Sequence, residues 1–247
     1  MSDNLIIKEF KEILDEQSLQ KLEHFLDEDN ASFCDAQNEI NGHEYIDLGL
    51  PSGVKWATCN VGADSPEEAG GFYAWGETVT KDKYTKKNGL TYGLELDVIS
   101  GDSQYDVARK EWGRTWRLPT NDEMTELVTN CIFKRRIINN VVGYFAIGPN
   151  GNRIFLPASG YYCGSRYYYK EFFGGVSGAY WSGTSGKESI FVKDTVACGL
   201  KLDTENKETA TFFPFLSQES ESETESEEVT TCIDGRVVGK NIRPVSS

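Results

Sequence analysis

Histidine is nearly missing from this chain, which has only His24 and His43. None of its six cysteines, Cys34, Cys59, Cys131, Cys163, Cys198 and Cys232, stands in a Cys-x-x-Cys pair. Zinc-ligand spacing is therefore absent, and no metal or other cofactor is expected. Excess positive charge is missing as well. Basic residues number 25 against 39 acidic ones, a formal net charge of -14. Such a chain repels phosphate backbones, which argues against a nucleic-acid partner. The short basic run Lys134-Arg135-Arg136 reads as a solvated strand end or turn. No segment is long and apolar enough to span a bilayer, so no membrane insertion is expected. Met1 to Lys8 shows no basic region leading into an apolar stretch, hence no secretory signal is read. That predicts a cytoplasmic location, with the cell surface or secretion as the alternative. It also predicts free thiols. Nucleophile-elbow, phosphate-cradling glycine-loop and paired-histidine motifs are absent too.

What the chain does have is glycine and aromatics: 24 Gly beside 13 Phe, 12 Tyr and 5 Trp in 247 residues. That composition predicts a turn-rich fold with aromatic packing rather than a helical bundle. Residues 1-41 form the first zone. Ile6, Phe10, Ile13 and Leu14, then Leu19, Leu22, Phe25 and Leu26, recur at helical spacing. Asp15 to Ser18 interrupts the series, so one bent helix and two short ones are both compatible with it. This helical extension must bury its apolar stripe, either on the main domain or on a docking partner. Residues 42-247 form the main domain, with an acidic insertion at about 217-228. The insertion is Ser-Glu-rich, lacks apolar residues and is expected to be a mobile loop.

Within the main domain two hairpins are predicted. One joins Tyr45-Leu48 to Val54-Ala57 through Gly49-Leu50-Pro51-Ser52-Gly53, and the other joins Tyr144-Ile147 to Arg153-Leu156 through Gly148-Pro149-Asn150-Gly151. Strands are also expected over Val229-Ile233 and Arg236-Val245. Two helices are predicted from their caps. Ser65-Pro66-Glu67-Glu68 reads as a capping box with proline at the first helical position. Thr120-Asn121-Asp122-Glu123 is a second box, opening a helix through Asn130. Loss of such a cap costs about 1 kcal/mol.

Several segments taken together carry a resemblance. Leu48 to Gly62 (Leu-Gly-Leu-Pro-Ser-Gly-Val-Lys-Trp-Ala-Thr-Cys-Asn-Val-Gly), Tyr73-Ala74-Trp75-Gly76-Glu77, Trp112 to Thr120, Ile154 to Tyr161, Tyr180-Trp181-Ser182 and Ile242-Arg243-Pro244-Val245 follow one another in order. From about Glu44 to Val245 the chain resembles the Fibrobacter major paralogous domain family of Bacteroidetes-type bacteria. That family is similar to the C-type-lectin-like and formylglycine-generating-enzyme superfold. The resemblance implies an α+β domain of C-type-lectin-like fold, with paired terminal strands, two short helices and long loops. The helical extension and the acidic insertion are outside it. In Trp116-Arg117-Leu118-Pro119-Thr120, alternation puts Trp116 and Leu118 in the core, and Arg117 is a candidate for a charge-assisted bond to a carboxylate or carbonyl.

The resemblance also suggests two chemistries, and the residues argue against both. Oxidases of the superfold use a reactive cysteine pair, whereas here Cys198 and Cys232 flank the acidic run and have no basic sequence neighbour. Calcium-dependent lectins carry Glu-Pro-Asn or Gln-Pro-Asp, whereas here Gly148-Pro149-Asn150 lacks the first ligand. A non-catalytic ligand-binding module remains, with a protein or glycan ligand. An oxidase-like enzyme, or an adaptor acting through the N-terminal helices, are the alternatives. The candidate recognition surface is the aromatic segment from Tyr161 to Phe173, in which Tyr161, Tyr162, Tyr167, Tyr168 and Tyr169 surround Arg166. Consecutive aromatics cannot all face one core. Tyrosines supply rigid contact area and Arg166 a planar donor fork. Trp181 is expected beside them. Lectin-fold proteins diversified by retroelements are similar in their use of Tyr, Ser and Gly at binding positions.

Overall fold

Short apolar runs separated by glycine-bearing turns give strands too short for one large sheet. The computed structural model accordingly distributes them over several small sheets. It describes residues 38-169, 176-186, 195-204 and 229-247, all within the unit Asn38–Ser247. The expected N-terminal helices and the acidic run at 217-228 lie outside the described residues, as do Cys34 and His24.

In chain order the elements are β1 (Glu39–Ile40), β2 (His43–Asp47), β3 (Lys55–Ala57), α1 (Val107–Trp112), β4 (Trp116–Arg117), α2 (Asn121–Asn130), β5 (Ile132–Ile138), β6 (Val141–Ile147), β7 (Arg153–Pro157), β8 (Tyr161–Cys163), β9 (Arg166–Tyr168), β10 (Val176–Ser185), β11 (Val196–Thr204), β12 (Val229–Gly235) and β13 (Val245–Ser246). The described residues are mostly β-sheet with two α-helices, an α+β arrangement. Neither helix is long and apolar enough to cross a membrane.

The chain closes on itself. β13 lies between β3 and β4 in the order β1-β2-β3-β13-β4. Val245 stands opposite Trp56 on one side and Arg117 on the other. The first predicted hairpin is β2–β3, with Tyr45 opposite Ala57. The second is β6–β7, closed where Gly148 accepts from Gly151 N at 2.9 Å. Two asparagines of that turn, Asn150 and Asn152, donate to the Asp47 carbonyl at 2.8 and 2.7 Å, so Gly148-Pro149-Asn150 is a structural turn.

Three expectations require correction. Ser65 opens only a turn, in which Glu68 N donates to Ser65 O at 3.2 Å and the Glu68 carboxylate caps Asp64 N. A helix cannot continue there because Gly70, at φ 67°, lies against Val61. A Cβ on Gly70 would stand 2.4 Å from the Val61 carbonyl oxygen. Among the described residues the first α-helix is instead α1, which the cap pattern did not reveal. Asp106 caps it by accepting from Arg109 N at 3.0 Å. Second, the run Lys134–Arg136 sits inside β5, at the edge of the sheet β5-β6-β7, rather than at a strand end. Third, residues 236-244 are not a strand. They form single bridges to Tyr73, Tyr162 and Tyr180 in turn, and changing neighbours this often prevents a ladder.

Trp56, Trp75, Trp116 and Trp181 are fully buried, together with the side chains of Arg236 and Arg243. Burying a guanidinium is tolerable only when its donors are satisfied. Arg236 donates to the carbonyls of Thr91, Leu94, Leu96 and Val196 and to Ser185 Oγ, and stacks 4.2 Å over the Trp75 ring. Arg243 donates from Nε to Asn60 Oδ1 at 2.8 Å and from Nη1 to the carbonyls of Ala57 and Thr58, while its buried Nη2 has no hydrogen-bond partner among the described residues.

At α2 the capping box forms as read. Thr120 Oγ1 accepts from Glu123 N, and Glu123 Oε2 accepts from Thr120 N at 2.8 Å. Arg117 adds a two-pronged bond to the same carboxylate, at 2.6 and 2.8 Å. Burial pushes the Glu123 carboxyl upward, but Arg117 and the Thr120 N–H outweigh it and hold the group below its usual value. A depressed carboxylate stabilises the fold above the usual carboxylate range, and this contribution is lost as pH falls through the lower folded value. Glu123→Gln keeps the cap and removes the charge. We expect it to cost about 2 kcal/mol at neutral pH, measured by urea denaturation. The gap to the parent protein should close in acid. A gap independent of pH would show that the charge on Glu123 adds nothing to the pair.

Candidate functional site

The aromatic segment folds as the hairpin β8–β9. Its register pairs Tyr161 with Tyr168, Tyr162 with Tyr167, and Cys163 with Arg166. Of the two loop residues, Gly164 and Ser165, only Gly164 has positive φ, at 63°. Glycine at the first loop position is the type II′ pattern, whose twist matches the strands it joins.

Because strand side chains alternate, this register divides the tyrosines between two faces. Tyr162 and Tyr167 share one face with Tyr169. Tyr162 meets Phe72 edge-on at 5.1 Å and stacks against Tyr84 at 5.6 Å, while Tyr167 lies parallel to Tyr169 at 6.1 Å. The Tyr167 hydroxyl donates to the Ser159 carbonyl at 2.7 Å. Burial and its tyrosine neighbours push the Tyr167 phenol above its usual pKa. On the other face Tyr161 stacks on Tyr168 at 5.2 Å, and the Arg166 guanidinium stands 5.1 Å from the centre of the Tyr168 ring.

The hairpin is tied down at several points. Tyr162 and Gly239 exchange both backbone bonds at 2.9 Å, Tyr84 and Gly164 do the same at 2.8 and 3.0 Å, and Gly160 N donates to Ser177 O at 2.6 Å. What remains accessible is Arg166 with Cys163 and Tyr167, the last 45% exposed; Tyr161, Tyr162, Tyr168 and Tyr169 are half-buried. Phe172 and Phe173 lie outside the described residues.

Trp181 does not belong to this surface. It is wholly buried on β10, where its indole N–H donates to the carbonyls of Tyr73 at 3.0 Å and Val238 at 3.2 Å. The Lys240 ammonium lies 4.1 Å from its ring centre. A flat, satisfied indole in a strand buried on both faces is core.

A concave feature escaped the sequence reading. A cleft of about 500 Å³ is lined by His43, Val61, Gly62, Tyr73, Thr78–Thr80, Glu111 and Trp112, and shares no residue with the hairpin. This volume suits a small ligand. The His43 ring lies flat on Trp112, with centroids 3.7 Å apart, and Trp116 meets it edge-on. Asn41 Nδ2 donates to the Trp112 carbonyl, fixing the β1–β2 turn over α1. Burial pushes the Tyr73 phenol up, and the Glu111 charge adds to this. The lining comes from five separated stretches of chain, so no local motif could have announced it. A histidine placed on an amphipathic strand was the only available signal.

The five described cysteines are free thiols. Cys198 pairs with Ile233 across β11–β12, and Gly199 with Cys232, so Cys198 and Cys232 point to opposite faces of the sheet. Among the described residues no three His, Cys, Asp or Glu side chains converge as metal ligands. No protein-family model matches the chain, and neither does any curated protein or solved structure.

Burial against Trp112 lowers the His43 pKa below the ordinary histidine value, with Glu39 pulling the other way. The unfolded chain therefore binds more protons between the two values, and stability should rise with pH across that window. An NMR titration should place the His43 midpoint below the ordinary histidine range. Glu39→Gln should lower it further. An upward shift in that variant would contradict the arrangement.

Proposed function

We propose that this chain is a non-catalytic binding module of C-type-lectin-like fold, similar to the Fibrobacter major paralogous domains, and that it recognises a protein or glycan through the β8–β9 hairpin. One observation carries the reading: Arg166 and Tyr167 are exposed on a hairpin whose backbone is bonded to three interior segments. Pre-organised aromatic area lowers the entropic cost of binding, and the exposed Arg166 guanidinium, on the other face of the same hairpin, supplies direction. The tie between Ser159 and the Tyr167 hydroxyl fixes one aromatic anchor without hiding it.

An oxidase-like reaction needs two thiols within reach of one substrate or metal. The register of β11–β12 puts Cys198 and Cys232 on opposite faces, which favours binding over that chemistry. The adaptor reading rests on residues 1-41, of which 1-37 lie outside the described residues. The cleft beside His43 is a second location for a small ligand, favoured by its concavity and by the shifted His43 and Tyr73.

A glycan array and a proteome pull-down with the whole chain supply the ligand. Arg166→Ala and Tyr167→Ala together should then weaken its binding by about 1 to 3 kcal/mol, the usual scale for anchor residues. The melting temperature should move by no more than a few degrees. Unchanged affinity per folded molecule would remove the hairpin from the site. If Glu111→Gln alone weakens binding, the ligand belongs to the cleft.

A further inference from the structure

Lys240 has a side chain only 1% exposed. Its Nζ donates to Asp234 Oδ2 at 2.5 Å and to Cys232 Sγ at 3.5 Å. The same carboxylate oxygen lies 3.8 Å from that sulfur. Cys232 and Asp234 are two residues apart on β12 and so share a face. Directly opposite Cys232 on β11 is Gly199, where a Cβ would come within 3.5 Å of Lys240 Nζ. A Cβ there would first meet the Tyr180 carbonyl oxygen, at 2.3 Å, and the Trp181 ring centre lies 4.1 Å from the ammonium.

An ion pair alone would need only Lys240 and Asp234. The sulfur is the additional element, and three reactive groups of complementary chemistry touch one another. Asp234 keeps 47% of its side chain exposed, which gives a small oxidant a path to the site. Burial pushes the Cys232 thiol up while the Lys240 charge pulls it down.

We propose that Cys232 and Lys240 are a site of reversible oxidative modification, in which hydrogen peroxide converts them to a covalent sulfur–nitrogen crosslink. In the first step the Cys232 thiol gives up its proton, which the departing hydroxide takes up, and the sulfur attacks the peroxide. An S–O bond forms, the O–O bond breaks, sulfur is oxidised to sulfenic acid, and water leaves. Sulfenic acids condense with nearby nitrogen nucleophiles. In the second step Lys240, having passed a proton to Asp234, attacks sulfur through Nζ. The S–N bond forms, the S–O bond breaks, and the departing oxygen takes up protons as a second water. The sum is one thiol, one amine and one peroxide giving one sulfenamide and two waters. A thiol reductant reverses it by attacking sulfur and releasing the amine.

The crosslink joins β12 to the segment that bonds the binding hairpin through Gly239. Neither its formation nor its detection depends on the binding reading.

Peptide mapping of the whole protein after hydrogen peroxide tests the proposal. Cleavage after Arg236 places Cys232 and Lys240 on different peptides. The expected product is a linked pair lighter than the two reduced peptides by two hydrogens, and dithiothreitol should separate it. Cys232→Ser changes one atom, leaves the Lys240–Asp234 pair intact, and should yield no link. The exposed Cys163 serves as internal control, gaining oxygen without joining Lys240. Cys232 recovered unlinked after Cys163 has been oxidised, or Cys232 joined to another cysteine, would overturn the proposal.

Discussion

The described domain depends on what residues 236-246 do on their way to the C-terminus. A loop-rich fold must find partners for backbone groups that no helix or long sheet satisfies. This one satisfies them with a single central segment. Its backbone bonds Trp75 at Arg236, Tyr162 at Gly239, Tyr73 at Lys240, Trp181 and Ala179 at Asn241, Val61 at Ile242 and Ala57 at Pro244. Its side chains extend the same role. The Arg236 fork collects carbonyls from the stretch between Thr91 and Leu96, and Asn241 donates to the carbonyls of Ala69 and Gly71. Glycine-rich loops that would otherwise be mobile are thereby fixed in place. The aromatic core, with four fully buried tryptophans, is built around this segment.

That constraint explains the division between what the sequence made legible and what it did not. The β2–β3 and β6–β7 hairpins were readable because turn chemistry and alternation are local. So was the Thr120 cap, whose three partners lie within a few residues of one another. The pairing of β13 with β3 followed from the resemblance rather than from any local pattern. Ser65 misled because its capping signal is equally local, while the close approach of Gly70 to Val61 that stops a helix is tertiary. Residues 236-244 resemble a strand through the β-prone Val237, Val238 and Ile242. Their partners, which change almost residue by residue, are invisible in the sequence.

The same division holds at the site. A run of tyrosines implied two faces, and the β8–β9 register supplies them. Phe72 and Tyr84, distant in the chain, pack on the face of Tyr162 and Tyr167, where Tyr162 becomes half-buried and Tyr167 stays exposed. Trp181 was placed on the surface by its aromatic character, but its neighbours on β10 and β11 enclose it. The cleft beside His43 has no local sequence pattern, since one to three residues from each of five stretches between 43 and 112 line it. The hairpin and the cleft each draw their rigidity from the central segment, one through Gly239 and the other through Tyr73 and Val61. The oxidisable Cys232–Lys240 pair sits at the same junction.

Native-state hydrogen exchange tests this dependence most directly. Regions that open only with the whole domain exchange as one slow cooperative group. The amides of Tyr73, Tyr162, Trp181 and Asn241 come from different elements, and each is bonded to the central segment or lies within it. They should exchange together, in the slowest group, with free energies equal to global unfolding. If the amides bonded to residues 236-246 instead exchange faster than the β10–β11 ladder, the central segment is an accessory to the fold and not the element that organises it.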